Sequence, residues 1–220
     1  MGVYVITGAN RGIGLELAKQ LSARGEKVIG VCRTSSKELE ECAEEVIDGV
    51  DVTEPDSVKG LAARLKKRSI SVLINNAGLL ERTALGELDY DSIHRQFEIN
   101  AVGPLRVTEA LLGNLGSDSK VALLTSRMGS IEDNTSGSHY GYRMSKAALN
   151  IAGKSLAIDL AERGISVVIL HPGFVRTGMT GGNGFVDPDE AAGMLIDRID
   201  DLSLKTSGRF LHANGEQLPW

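Results

Sequence analysis

The sequence contains few cysteines and no long apolar run. Its two cysteines, Cys32 and Cys42, lack the spacing of a metal site and are too few for a disulfide framework, which favours a reducing compartment. No apolar stretch approaches the roughly 20 residues that a membrane helix requires. The first residues, MGVYVITG, are too short in apolar content for a signal peptide, and Ile6 breaks the myristoylation pattern. We therefore expect a cytoplasmic protein that has no membrane partner.

An excess of positive charge is also missing. Lys and Arg total 24 against 29 Asp and Glu, so the formal net charge is −5. Phosphate binding needs a basic face, and this balance argues against a nucleic acid as partner. The four histidines are scattered without ligand spacing, and we predict no metal site.

Short apolar runs alternate with longer amphipathic ones, and 42% of the residues are hydrophobic, enough for a substantial core. Such apolar runs are typical of buried strands, and amphipathic runs are typical of helices. We predict strands at 3–6, 27–31, about 46–52, 71–74, 120–125, 165–170 and 209–213. We predict helices at 12–25, 35–45, about 54–67, about 90–115, 142–163 and 188–199.

Continuous apolar strands separated by helices predict a parallel sheet that is covered on both faces. Right-handed crossovers then lead to a doubly wound α/β fold. We expect one Rossmann-type domain over residues 1–220, with about seven parallel strands. Ligands bind such sheets outside the carboxyl ends of the strands, so a functional site is expected just after each strand.

A glycine-rich segment, TGANRGIG at residues 7–14, follows the first predicted strand. Gly8 permits a tight turn, Gly12 lets the backbone approach a phosphate, and Gly14 lets the helix pack close to the strand. The N–H groups at the helix start would then face a pyrophosphate. Glycines also serve ordinary turns, so the position at a strand–helix junction carries this prediction.

The spacing Gly-xxx-Gly-x-Gly resembles the short-chain dehydrogenase/reductase family, and the resemblance covers nearly the whole chain. SRMGSI (126–131), YRMSKAALN (142–150) and LPW (218–220) are similar to its carbonyl-reductase-like branch, which includes sniffer and C-factor proteins. The resemblance implies a nicotinamide cofactor and a carbonyl or alcohol substrate. It implies cofactor contacts at Gly8, Asn10, Arg11, Gly12, Ile13, Gly14, Arg33, Asp51, Val52, Asn76, Ala77, Gly78, Tyr142, Lys146, Pro172, Gly173, Val175 and Thr177.

The residues after the second predicted strand bear on the choice between NAD and NADP. An NAD site usually has an acid about 20 residues beyond the glycines, but Cys32 stands there and the first acid beyond it is Glu38. Arg33 and Arg11 could bind a 2′-phosphate through charge-assisted, bidentate contacts, or both could merely be solvated. We predict NADP(H), with NAD(H) as the less favoured cofactor.

Tyr142 and Lys146 are four residues apart on a predicted helix, so their side chains share one face. The pKa of a free tyrosine is about 10, and a nearby positive charge would lower it. A shift of three units needs about 4 kcal/mol, more than one exposed ammonium supplies. A cationic nicotinamide ring and exclusion of water would have to help. Tyr140 has Met144 at the same spacing and cannot form this pair.

The resemblance also implies a catalytic serine and a helix asparagine. Ser126 matches the family pattern Ser-Ser-x-x-Gly with Thr in place of the first serine, and would hydrogen-bond the substrate oxygen, whereas Ser130 lies deeper in the loop. The family usually has about a dozen residues between serine and tyrosine; here there are fifteen, which leaves the shape of loop 127–141 open. Asn100 matches the asparagine that holds a water beside the lysine, and it could also be a buried polar residue at a bend before Pro104.

The sequence says little about which substrate the protein binds. Met128 and Phe174 are candidate substrate contacts, and the short glycine-rich segment 178–186 suggests an open or mobile site for small or varied carbonyl compounds. A non-catalytic NADP-binding sensor or C-factor-like signalling protein is the alternative function. A sugar-nucleotide epimerase is disfavoured by its different glycine spacing and by the length of the chain.

The predicted helix that carries Tyr142 has small residues at helical spacing. Ala148, Ala152 and Ser155 could form a flat stripe that pairs with a second copy, so we predict a homodimer. The stripe could instead pack inside the monomer, or loop 127–141 could cover it.

Overall fold

The computed structural model describes residues 1–220 and contains one sheet of seven strands. The strands are β1 (Val3–Thr7), β2 (Lys27–Val31), β3 (Glu45–Ile47), β4 (Ile70–Asn75), β5 (Leu115–Leu124), β6 (Ser166–His171) and β7 (Phe210–His212). Their order is β3-β2-β1-β4-β5-β6-β7, and every neighbouring pair is parallel. The chain therefore winds outward from β1 to one edge and then from β4 to the other. The predicted doubly wound fold is confirmed.

Helices cover both faces of the sheet. They are α1 (Gly12–Ala23), α2 (Lys37–Cys42), α3 (Pro55–Leu65), α4 (Tyr90–Phe97), α5 (Gly103–Ala110), α6 (Tyr140–Asp159) and α7 (Pro188–Asp200). A π-helical segment, Glu98–Val102, joins α4 to α5. No helix combines the length and the apolar content that crossing a bilayer requires.

Two hydrophobic cores lie on the two faces, because successive residues of a strand point to opposite sides. In β5, Leu123 packs in the same core as Leu149 of α6, while Ala122 belongs to the core that contains Leu17 of α1. Helix α6 approaches the sheet closely at Gly153, where a Cβ atom would lie 2.6 Å from Ile169. This close packing fixes the residues of α6 against the carboxyl ends of β5 and β6.

The third predicted strand was too long. We predicted residues about 46–52, but β3 ends at Ile47, and the chain turns at Gly49 with φ of 71°. The N–H group of Val50 then donates to the carbonyl of Cys32. This turn carries Asp51 across the end of β2, toward the ligand-binding edge of the sheet.

The single helix predicted at about 90–115 was also wrong in detail. The structure divides it into α4, the π-helical segment and α5, with β5 starting at Leu115 instead of Lys120. The wider π turn brings Asn100 to a fully buried position. Pro104, which cannot donate a backbone hydrogen bond, lies in the first turn of α5.

Candidate active site

A cleft of about 690 Å³ lies along the carboxyl ends of the parallel strands. Its wall is built from segments that are distant in sequence. They include the glycine loop, the ends of β2 and β4, the turn after β3 and the segment after β6, with residues in 7–14, 31–34, 50–52, 76–79 and 177–179. The cleft is therefore at the sheet edge where a ligand was expected.

Three glycines shape the loop between β1 and α1. Gly8 and Gly12 have φ of 65° and 54°, a conformation that glycine adopts readily. A Cβ atom at residue 8 would lie 2.9 Å from the Cα of Ala77, and one at residue 14 would lie 2.3 Å from the carbonyl oxygen of Gly8. The space that larger residues would fill is thus occupied by backbone, so the loop is tightly packed against the end of β4.

The amino end of α1 is free to bind an anion. Arg11 precedes the helix and provides no side-chain cap, and the N–H groups of Gly12, Ile13 and Gly14 have no acceptor within the protein. Unpaired N–H groups at a helix start attract phosphate by hydrogen bonding and through the helix dipole. The residues present therefore fit a dinucleotide, which has a pyrophosphate.

Asn76 and Thr7 hold the glycine loop in place. The Asn76 amide donates to the carbonyls of Thr7 and Gly8 at 2.9 and 3.0 Å, and the Thr7 hydroxyl accepts from the N–H groups of Asn76 and Ala77. The amide of Asn10 donates to the carbonyl of Thr34 at 2.9 Å, which joins the loop to the segment after β2. Asn76 and Asn10 thus shape the cleft through backbone contacts.

The segment after β2 presents a guanidinium and no ribose-binding acid at the predicted position. Cys32 is buried there, and the exposed Arg33 lies 4.0 Å from the Asp51 carboxylate. Burial alone would raise the pKa of Asp51, but hydrogen bonds from Thr53 and the charge of Arg33 hold it below its usual range. Arg11 is exposed and forms no ion pair. An ion pair this exposed is weak, so Arg33 stays available to a ligand.

Val52, which lines the cleft, is held by two residues of α5 that sequence reasoning missed. Arg106 donates to the carbonyl of Val52 at 2.7 Å and also pairs with Glu98. A Cβ atom at Gly103 would lie 2.8 Å from the Val52 side chain. Neither residue stands in a motif that marks a site, and only the fold brings them to Val52.

The side-chain oxygen and nitrogen of the buried Asn100 are both hydrogen-bonded. Its side chain accepts from the N–H of Leu79 and donates to the carbonyl of the same residue, both at 2.7 Å. It also donates to the Ser145 hydroxyl at 3.0 Å. The asparagine thus fastens the segment after β4 to α6, as expected of a buried polar residue.

Ser126, Tyr142 and Lys146 come together in a buried group beside the cleft. Ser126 lies two residues beyond β5, and its hydroxyl accepts from the N–H of Met128 at 3.1 Å. The Lys146 ammonium lies 5.7 Å from the centre of the Tyr142 ring and donates to the carbonyl of Leu124 at 2.8 Å. No carboxylate pairs with this lysine.

Burial controls the protonation of this group. It raises the pKa of Tyr142 to about 12, while hydrogen bonding with Ser126 acts in the opposite direction. It lowers the pKa of Lys146 to about 7. The sequence led us to expect that the ammonium lowers the tyrosine pKa with the help of a cationic nicotinamide ring and of water exclusion. Burial excludes water here, and burial by the protein's own groups raises that pKa. Burial shifts both groups toward their neutral forms because a charge is poorly solvated there, although Lys146 remains partly protonated near pH 7.

The remaining candidates divide into those beside the cleft and those outside it. Thr177 lies 3.5 Å from the position that a Cβ atom of Gly12 would take. Ser130 donates to the main-chain oxygen of Trp220, and Tyr140 lines a separate apolar groove between α4 and α6. The structure thus brings neither Ser130 nor Tyr140 into the group around Tyr142.

The segment after β6 is an ordered turn. Pro172 and Gly173 begin it, with φ of 96° at the glycine, and Val175 forms a bridge with Val186. The Thr180 hydroxyl donates to the carbonyl of Val175, and Phe174 packs edge-on against Phe185 with ring centres 5.5 Å apart. The glycine-rich stretch suggested an open or mobile site, whereas its backbone is hydrogen-bonded within itself.

Asn150 is a further residue that sequence reasoning missed. It accepts from the Thr125 hydroxyl at 2.6 Å and donates to the carbonyl of Gly129 at 3.3 Å. The two partners, Thr125 and Gly129, stand on either side of Ser126 in the sequence. Its place in the motif YRMSKAALN was a signal that could have pointed to it.

Comparison with known proteins agrees with this arrangement. The chain matches the family model for short chain dehydrogenase over residues 2–184. It is 43% identical to 1-hydroxy-2-glutathionyl-2-methyl-3-butene dehydrogenase of Rhodococcus sp. strain AD45, covering 100% of both chains. It is 47% identical to the C-signal protein of Myxococcus xanthus, over 74% of this chain and 100% of that protein.

A solved structure extends the likeness to three dimensions. The carbonyl reductase from chicken fatty liver, solved with NADPH bound, is similar at a TM-score of 0.90 and 30% identity, covering 100% of this chain and 99% of that one. The fold, the cleft at the strand ends and the match to the family model are consistent with one another. This chain belongs to the short-chain dehydrogenase/reductase family of oxidoreductases, in its carbonyl-reductase-like branch.

Proposed function

We propose that the protein is an NADP(H)-dependent carbonyl reductase that interconverts a ketone or aldehyde and the corresponding alcohol. One observation carries the proposal: Ser126, Tyr142 and Lys146 converge in a buried group beside the cleft at the strand ends. A hydroxyl that can hydrogen-bond a carbonyl oxygen, a phenol that can give it a proton and a cation nearby are the groups that carbonyl reduction needs.

The glycine loop would hold the phosphates of the cofactor through the free N–H groups of Gly12, Ile13 and Gly14. Arg33 and Arg11 would bind the 2′-phosphate, which distinguishes NADP from NAD. The absence of an acid at Cys32 supports this choice, as does the NADPH bound to the chicken carbonyl reductase. Asp51 and Val52 would flank the adenine, and Thr177 would lie at the nicotinamide end. When bound, the cofactor supplies the hydride.

In the direction of reduction, Tyr142 holds the proton that the substrate oxygen receives. With its pKa raised to about 12, the phenol is fully protonated at neutral pH. Ser126 orients the substrate oxygen toward it, and burial of both side chains excludes water from the transfer. A charged Lys146 would stabilise the phenolate left by the transfer. Asn100 holds the segment after β4 against α6 and thereby positions the lysine.

A non-catalytic sensor is not favoured, because Asn100, Ser126, Tyr142 and Lys146 are all present and gather at one place. A Cβ atom at Gly78 would lie 3.3 Å from the Asn100 side-chain oxygen and 3.8 Å from the Lys146 ammonium. The similarity of this chain to the C-signal protein does not by itself imply that this chain lacks turnover. As part of the same proposal, residues 1–220 form one domain. The protein works in the cytoplasm, where the two free cysteines remain reduced.

We further infer that α6 pairs with a second copy of the chain. Met144, Ile151 and Ile158 lie at seven-residue spacing on the outer face of α6 and are 52%, 65% and 64% exposed. Loop 127–141 does not cover Ile151 and Ile158. Of the predicted stripe of small residues, Ala148 and Ala152 are half-buried and Ser155 is exposed. Burial of this apolar face in a homodimer would stabilise it.

The proposal is tested by measuring NADPH oxidation with a panel of carbonyl compounds. The panel should include aliphatic and aromatic ketones, aldehydes and quinones. It should also include alcohols that carry a glutathionyl group, assayed with NADP⁺, because the Rhodococcus relative is named for such a substrate. We expect turnover with NADPH, and slower turnover or weaker binding with NADH. Tight NADPH binding without turnover of any compound would instead support the sensor.

A further inference from the structure

The loop before Tyr142 contains a left-handed turn of three successive residues. Gly137, Ser138 and His139 have φ of 60°, 56° and 52°, and His139 immediately precedes α6. Residues other than glycine seldom adopt this conformation, and then as single residues, because Cβ crowds the following carbonyl. Two strained residues in succession, three residues from the proposed proton donor, need compensation from their surroundings.

That compensation comes from Arg143. Its guanidinium donates to the carbonyls of Gly137 and Ser138 at 3.0 and 3.1 Å and to the Ser136 hydroxyl at 2.9 Å. A longer contact, 3.4 Å, reaches the carbonyl of Met128. All four acceptors are neutral oxygen atoms of the main chain or of a hydroxyl. Hydrogen bonds from a charged donor are stronger than those between neutral groups, so they can hold a strained backbone.

These contacts join the two ends of loop 127–141. Met128, which receives the longest bond, donates its own N–H group to the Ser126 hydroxyl. Arg143 itself follows Tyr142 directly in α6. One guanidinium therefore connects the segment that holds the proposed substrate-orienting serine to the turn that leads into the helix of the proposed acid.

We propose that Arg143 is a positioning residue for the substrate, which maintains the left-handed turn Gly137–His139 and, through Met128, the segment that carries Ser126. This inference rests on the carbonyl reductase function proposed above. Arg143 touches neither the cleft that would take the dinucleotide nor the reacting atoms. Its loss should therefore act on the carbonyl substrate more than on NADPH.

Arg82 provides a matched control. It is exposed, forms no hydrogen bond or ion pair, and lies between Glu81, which lines the cleft, and Thr83, which accepts from the N–H of Gly141. Burial lowers the pKa of His139, and the charges of Arg143 and Arg82 lower it further. Both arginines thus place a positive charge near the same histidine, but only Arg143 holds the turn.

The first test compares Arg143→Ala, Arg143→Lys and Arg82→Ala. For Arg143→Ala we expect the KM of the carbonyl substrate to rise about tenfold with a smaller fall in kcat. The NADPH Kd should stay within about twofold of the unaltered protein. Lysine should not restore the KM, because a single ammonium cannot span four acceptors. An equal rise in KM for Arg82→Ala would overturn the inference and indicate that both arginines act by their charge on an anionic substrate.

The second test does not depend on turnover. Hydrogen exchange of the peptide amides in 128–141 should become faster in Arg143→Ala and stay unchanged in Arg82→Ala. Adding Ser138→Gly to Arg143→Ala should recover part of the lost protection and of the lost KM, because glycine adopts the left-handed conformation with little strain. Unchanged exchange in Arg143→Ala, or no recovery with glycine, would overturn the inference even if no substrate had been found. Absence of turnover in the unaltered protein would count against the proposed function alone.

Discussion

Removal of a single hydroxyl group from Tyr142 should abolish most of the activity while leaving the fold nearly intact. In Tyr142→Phe the ring, which is 8% exposed, keeps its packing in the site. The lost hydroxyl interacts with Ser126, and a hydrogen bond of this kind contributes about 1 kcal/mol to the free energy of unfolding. Phenylalanine also avoids the cost of burying a hydroxyl, which offsets part of that loss. We therefore expect a small change in Tm.

The effect on the rate should be far larger. General acid catalysis by a positioned side chain typically accelerates a reaction by about 10²–10⁴, so kcat should fall by about that factor. This corresponds to about 3–5 kcal/mol of transition-state stabilisation. The Kd of NADPH should change little, since the free N–H groups of the glycine loop and Arg33 do not involve this phenol. Substrate KM should also change less than kcat, because Ser126 remains to hydrogen-bond the carbonyl.

Tyr140→Phe is the matched control, because it removes the same atom two residues away. Tyr140 lines the apolar groove between α4 and α6 with Ile93, Phe97 and Met144, outside the group around Ser126. Initial rates of NADPH oxidation, NADPH titration and thermal unfolding should be measured for both variants. Equal losses of activity in the two variants would refute the assignment, as would a Tyr142→Phe variant that keeps more than about a tenth of kcat.

Three further predictions concern the cofactor, the buried lysine and the assembly. Arg33→Ala should weaken NADPH by about tenfold or more and NADH hardly at all, measured by titration; NADH binding as tightly as NADPH to the unaltered protein would contradict it. Lys146 has a folded-state pKa of about 7, below its ordinary value of 10.5. Between pH 7 and 10.5 the unfolded chain therefore binds more protons than the folded one. The free energy of unfolding should rise with pH over this range, by up to about 4–5 kcal/mol. Denaturant unfolding of the ligand-free protein from pH 7 to 10 should show a flatter profile for Lys146→Met, and identical profiles would refute the effect. Light scattering should give about twice the single-chain mass of 23.4 kDa, and Ile151→Asp should return it to one chain.

The fold could be predicted because the apolar runs that indicate buried strands and the amphipathic runs that indicate helices can both be read from the local sequence. Apolar runs such as KVIGV and ISVVIL indicated buried parallel strands, and all seven predicted strands have a counterpart in the sheet. The errors arose where the backbone departs from a regular period. The turn at Gly49 shortens β3. The π-helical segment 98–102 divides a helix that looked continuous, and there the Asn100 side chain hydrogen-bonds Leu79, which lies in a segment distant in sequence.

The candidate site was predictable where a motif places a residue at the end of a strand. Ser126 follows from such a motif, Tyr142 and Lys146 follow from their four-residue spacing on a helix, and the structure brings the three together. Residues that act on the backbone of another segment could not be found in this way. Arg106 reaches Val52 across 54 positions, and Arg143 holds a turn whose conformation no local pattern revealed. Side-chain donors of this kind become visible only when the loops are folded beside them.

Burial opposes transfer of a proton from Tyr142 to Lys146, whose ammonium lies 5.7 Å from the centre of the tyrosine ring. Moving a proton from Tyr142, with its pKa of about 12, to Lys146, with its pKa of about 7, spans about five units, or about 7 kcal/mol. The pair therefore does not ionise by itself at neutral pH, and no nearby carboxylate changes this balance. Positive charge brought into the cleft would lower the pKa of the phenol, and anionic groups near the lysine would raise the pKa of the ammonium. Both changes favour the ion pair, so a filled cleft should favour the Tyr142 phenolate, which is the base that the reverse reaction, alcohol oxidation, needs.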